Sequence, residues 1–138
     1  MTPRHFIAAS LVLIGSMTTG HAQETERALA ETPRATVGKR FEVRDMGCVD
    51  PGATSFVCVK FVGPTLLEIR GDFLSPETPL SIAERLVRTC RGTAQIDNPE
   101  CRMRVSGQVR VTESRIVEGE RGSFPHVRIE VGAIDIRR

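Results

Sequence analysis

The residues of this 138-residue chain with the most definite chemistry are four cysteines, Cys48, Cys58, Cys90 and Cys101. Their separations are 10, 32 and 11 positions. A four-thiolate zinc site is built from two close Cys-x₂₋₄-Cys pairs, and thiol–disulfide catalysis uses Cys-x-x-Cys; these separations match neither pattern. An even set of cysteines that serves neither purpose reads as two structural disulfides. The expected pairs are Cys48 with Cys58 and Cys90 with Cys101, because each joins neighbouring elements across a short stretch. Closing loops that short stabilises a fold by about 2–3 kcal/mol each in the chain-entropy treatment.

Histidine chemistry is nearly absent. Of the three histidines, His5 and His21 fall in the N-terminal stretch, which leaves His126 alone. One imidazole makes no histidine metal site, and the surrounding Ser123-Phe124-Pro125-His126 resembles no nucleophile elbow, so His126 is expected at a strand start on the surface. The carboxylate pairs Glu118 with Glu120 and Asp97 with Glu100 fall in expected loops, where solvation explains them. Neither a dinucleotide-binding nor a nucleotide-phosphate glycine loop occurs. No cofactor and no metal are expected, and the chain reads as a non-enzyme. A carboxylate- and arginine-based hydrolase or transferase is the weakest alternative.

Charge is more informative. Residues 23–84 carry 7 basic and 10 acidic side chains, whereas residues 85–138 carry 11 basic and 7 acidic. Arg102, Arg104, Arg110 and Arg128 alternate with apolar residues and form a candidate row of guanidinium groups on one sheet face, suited to phosphate or carboxylate. The competing explanation is cross-strand pairing of these arginines with Glu113, Glu118 and Glu130. Phe124, beside Pro125 at an expected loop tip, is a candidate protein contact. Nucleic acid is not an expected partner, because the chain has no Trp or Tyr and its phenylalanines fall mostly on expected core positions.

Residues 1–22 read as a signal peptide. Arg4 and His5 precede an apolar run from Phe6 to Met17, and Gly20-His21-Ala22 supplies the small residues of a cleavage site. That run is 12 residues long, whereas a helix crossing a bilayer needs roughly 20. No later window is long and apolar enough to span. The expected location is therefore periplasmic or secreted, which agrees with paired cysteines. Removing residues 1–22 leaves 116 residues, the size of one domain, and takes one base from the 19 Lys and Arg that face 17 Asp and Glu. The near-neutral balance gives no general attraction to nucleic acid or anionic lipid.

The elements that would position these residues follow from periodicity. Residues 23–37 are polar, contain Pro33, and read as a flexible leader before a single disulfide-linked β domain over 38–138. Alternation gives strands over 39–49, 55–62 and 65–73, separated by turn signals at Asp50-Pro51-Gly52 and Gly63-Pro64. The period then becomes helical: Thr78 is the expected N-cap, Pro79 the first helical residue, and Ile82, Ala83, Leu86, Val87 and Cys90 the apolar stripe. A long fourth strand runs from Cys101 to Val111 with a bulge or coil expected at Gly107, and Glu118 to Phe124 is an expected loop. A fifth strand, from Val127, shifts phase at Gly132-Ala133.

Three strands, one helix and two strands resemble the OB-fold. The resemblance implies a mainly β, five-stranded antiparallel barrel of order β-β-β-α-β-β. The alternative is an open antiparallel sheet with one packed helix. The expected function is that of an exported, non-catalytic binding module, meeting an anionic small molecule or an exported protein through the arginine-bearing face. A small secreted inhibitor or envelope-stress protein docking on another exported protein is the alternative.

Overall fold

The computed structural model describes residues 24–52 and 55–138; the expected signal peptide lies outside the described residues. Alternating side chains form an antiparallel meander of β1 (Arg40–Val49), β2 (Phe56–Val62) and β3 (Thr65–Leu74). Cys48 and Cys58 are direct partners across β1 and β2, and they are disulfide-bonded. The reversal between β2 and β3 takes only Gly63 and Pro64, with Gly63 at φ 58°, a conformation glycine adopts at little cost.

Helix α1 (Glu26–Glu31) lies within the segment expected as a polar leader. Thr25 caps it by accepting a hydrogen bond from Ala28 N. Its Leu29 is fully buried in the central core, and α1 contacts β1, β2, β3 and β6 (Gly122–Arg137). Helix propensity would not hold a six-residue helix; burial of one leucine, which contributes about 1.5–3 kcal/mol, supplies the tertiary anchor.

Helix α2 (Leu80–Arg88) follows β3 as expected. Ile82, Leu86 and Cys90 are buried, but Leu80 and Val87, at 74% and 50% exposure, face outward. Thr78 does not cap the helix, a role that falls to Pro79. Its hydroxyl instead accepts from Ile136 N at 3.3 Å. The second disulfide, Cys90–Cys101, ties the end of α2 to the start of β4 (Arg102–Gln108).

Among the described residues there are six strands, not five, and the order β-β-β-α-β-β is corrected accordingly. The expected long fourth strand is broken at Val109-Arg110 into β4 and β5 (Val111–Gly119). The break has a physical cause, because the chain changes partners there. Val109 exchanges backbone hydrogen bonds with Gly38 and Lys39, whereas Arg110 N donates to Glu130 O on β6. Gly107 is not the break. It pairs in register with Phe41 inside β4. The expected loop over 118–124 is also corrected, since β5 and β6 form a hairpin closed by Gly119 opposite Gly122.

The sheet order is β3-β2-β1-β4-β6-β5. Every junction is antiparallel except β3–β6, which is parallel and closes the hydrogen bonding into a ring. The open-sheet alternative does not describe this closure. Inside the ring, Phe41, Val43, Met46, Leu67, Ile69, Met103, Val105, Ile129 and Val131 join α2 and α1 in one apolar core. The inward face of β6 passes from Val127, Ile129 and Val131 to Ile134 and Ile136, the phase shift expected at Gly132-Ala133.

Candidate functional site

A β-bulge on β1 builds a strongly basic concavity. Register runs from Val43 opposite Val105 to Met46 opposite Met103, so β1 spends one more residue than β4 over this interval. Asp45 adopts φ 57°, a left-handed conformation that Asp tolerates better than most residues, and Arg44 and Asp45 are both exposed. The outward residues of neighbouring β4, Arg102 and Arg104, stand beside them. The result is an open cleft of about 360 Å³ lined by Arg44, Asp45, Arg102, Met103, Arg104 and Arg138.

The carboxylates near this cleft engage the arginines loosely. Arg102 Nη1 donates to Asp45 O at 3.2 Å and lies 3.9 Å from Asp45 Oδ1. Glu42 Oε1 is 3.6 Å from Arg44 Nε and 3.8 Å from Arg104 Nη1. Ion pairs this long and this exposed contribute little, so the guanidinium groups retain free donors for an incoming anion.

The arginines expected in one row do not share one surface. Arg102 and Arg104 meet in the cleft. Arg110 lies in the break and lines a different depression with Arg40 and Glu77, its Nη1 3.2 Å from Asp72 Oδ2. Arg128 is directed at β3, where its Nε donates to Glu68 Oε2 at 2.8 Å, with Glu113 Oε2 3.7 Å from Nη1. Of the acids expected as cross-strand partners, Glu113 alone is seen beside one of these arginines; Glu118 accepts from Ser123 Oγ instead.

Glu68 is the centre of a buried polar cluster. Its Oε2 also accepts from Arg70 Nε at 3.0 Å. Burial by itself would raise its carboxyl, but the hydrogen bonds and charges of Arg70 and Arg128 outweigh that and hold it below its ordinary value. His126, expected on the surface, is only 6% exposed, because β6 is flanked there by Leu66 of β3 and Arg115 of β5. Arg115 Nε donates to His126 Nδ1 at 3.2 Å, which places the ring proton of the neutral imidazole on Nε2. Burial is the main force lowering the His126 pKa; Glu68, 3.9 Å away, opposes it, and Arg115, Arg128 and Arg70 add to it. Nε2 has no hydrogen-bond partner among the described residues.

Phe124 lies on β6 opposite Val117 rather than at a loop tip. Its half-buried ring meets Phe61 edge-on, centroids 6.0 Å apart. Phe61 and Phe73 are 59% and 56% exposed, against the expectation that the phenylalanines are mostly core residues. Apart from Lys60, β2 is apolar on both of its faces, which conceals which of its phenylalanines faces outward.

No family model and no curated protein matches this chain. Among solved structures, the chain is similar to an aspartyl tRNA synthetase from Entamoeba histolytica, with a TM-score of 0.42 and 16% sequence identity over 86% of this chain. The likeness spans 22% of that chain, about a fifth of its length.

Proposed function

We propose that this protein is an exported, non-catalytic binding module that takes an anionic ligand in the cleft of Arg44, Arg102, Arg104 and Arg138. The observation that carries the reading is the concentration of four arginines, with one lining carboxylate, in a single open concavity. Guanidinium groups bind phosphate or carboxylate through paired N–H donors, and a cleft of this polarity selects charge before shape. Two disulfides suit the oxidising surroundings of a periplasmic or secreted protein, the location that the signal-like residues 1–22 imply. On this reading the hydrogen-bonded ring is a small OB-like barrel, in which β4 and β5 count as one long strand that bends where it changes partners.

Calorimetric titration with inorganic tripolyphosphate tests the proposal. The oxidised protein is expected to bind with an affinity that falls as salt is raised, and Arg102→Gln with Arg104→Gln to weaken it at least about tenfold. Equal binding by wild type and this double variant removes the cleft from consideration.

A second reading rests on the exposed Phe61 ring packed against half-buried Phe124, which suits a protein contact better than a small anion. Here the module docks on another exported protein. Loss of a stoichiometric partner on changing Phe61→Ser and Phe124→Ser, but not on changing Arg102→Gln and Arg104→Gln, would favour it.

A further inference from the structure

The free edge of β5 carries a self-complementary sequence. Among the described residues β5 pairs with β6 alone and stands at the end of the sheet order, so its other edge has no strand beside it, although the short turn Pro33–Thr36 lies against β5. Most of its side chains are exposed, including Val111 at 51% and Ile116 at 67%. Open strand edges recruit further strands, and proteins commonly blunt them with charge. Here the charges do not blunt the edge against itself. Residues 110–118 read Arg-Val-Thr-Glu-Ser-Arg-Ile-Val-Glu. Set antiparallel to an identical strand about Ser114, Glu113 faces Arg115, Thr112 faces Ile116, Val111 faces Val117 and Arg110 faces Glu118.

We infer that this edge is a self-association surface, on which a second copy of the chain docks its own β5 antiparallel about a two-fold axis at Ser114. A two-fold contact must be self-complementary, and in this register both charged pairs, Glu113 with Arg115 and Arg110 with Glu118, are of opposite sign. Antiparallel partners on facing strands interact directly: opposite charges attract, and like charges are destabilising. In this register Glu113 meets Arg115 of the partner subunit, and the symmetric pair repeats the contact. A shift of the axis by one residue to Arg115 would place it against the partner subunit's Arg115, so the charges also select against the neighbouring register. One nine-residue edge offers a small interface, which makes the dimer weak and concentration-dependent.

Sedimentation equilibrium of the oxidised protein, with a charge swap, tests the inference. Wild type is expected to dimerise reversibly. Glu113→Arg alone, or Arg115→Glu alone, converts both symmetric contacts into like-charge pairs and should raise the dimer dissociation constant about tenfold or more. The double variant Glu113→Arg with Arg115→Glu restores complementarity and should dimerise again, an outcome that simple damage to β5 would not produce. Ser114→Cys reads the register: it should cross-link to itself under mild oxidation, whereas Thr112→Cys should not. A wild-type protein that stays monomeric at every concentration overturns the inference, as does a double variant that associates no better than the single ones.

Discussion

Glu68 of β3 and Arg128 of β6 are register partners across the parallel pair that closes the ring, and their side chains meet at 2.8 Å. The same oxygen of Glu68 takes the Arg70 donor, so one buried carboxylate binds two guanidinium groups where the sheet joins itself. Removing that charge should therefore weaken the closure. Glu68→Gln is expected to cost about 2 kcal/mol, less than a fully buried pair would, because the Arg70 side chain is 37% exposed and partly compensated by water. Urea denaturation measures this, and an unchanged midpoint would contradict it.

Acid should destabilise the protein in two stages. The folded state holds His126 neutral with its pKa below 6.5, so the unfolded chain takes up that proton first. The stability this contributes is complete above pH 6.5 and is lost as pH falls through the lowered folded value. The Glu68 carboxyl is likewise held below 4.5, and its contribution is complete above that pH and lost as pH falls through the folded value. The thermal midpoint should be level above pH 6.5, decline below it, and decline again below 4.5. His126→Gln should remove the first decline and leave the second. A midpoint that rises on mild acidification would contradict the assignment.

The two disulfides join neighbouring elements, so each should act locally. Thiol titration in denaturant should find no free thiol before reduction and four after it. Replacing Cys48 and Cys58 together by alanine should lower stability by about 2–3 kcal/mol. Free thiols in the native, unreduced protein would contradict the pairing.

Local chemistry was legible in the sequence wherever one element decides its own structure. Alternation located the first three strands, Pro79 and the apolar stripe located α2, and cysteine spacing gave both disulfides. Features set by contacts between distant elements were not. Leu29 anchors α1 only because the closed ring offers it a core, and His126 is buried only because β3 and β5 both flank β6. The break at Val109-Arg110 is a change of partner, which carries no turn residue to announce it. The bulge that shapes the arginine cleft did leave a trace. The buried positions of β1 pass from Phe41 and Val43 to Met46 and Cys48, and that change of phase at Arg44-Asp45 is visible in the residues themselves.

The most direct measurement of the anion-binding proposal is a backbone amide NMR titration of the oxidised protein with inorganic tripolyphosphate. The largest shift changes are expected at Arg44, Asp45, Arg102, Met103 and Arg104, with little at Phe61 and Phe124. Changes centred on the two phenylalanines, or none at saturating tripolyphosphate, would contradict it.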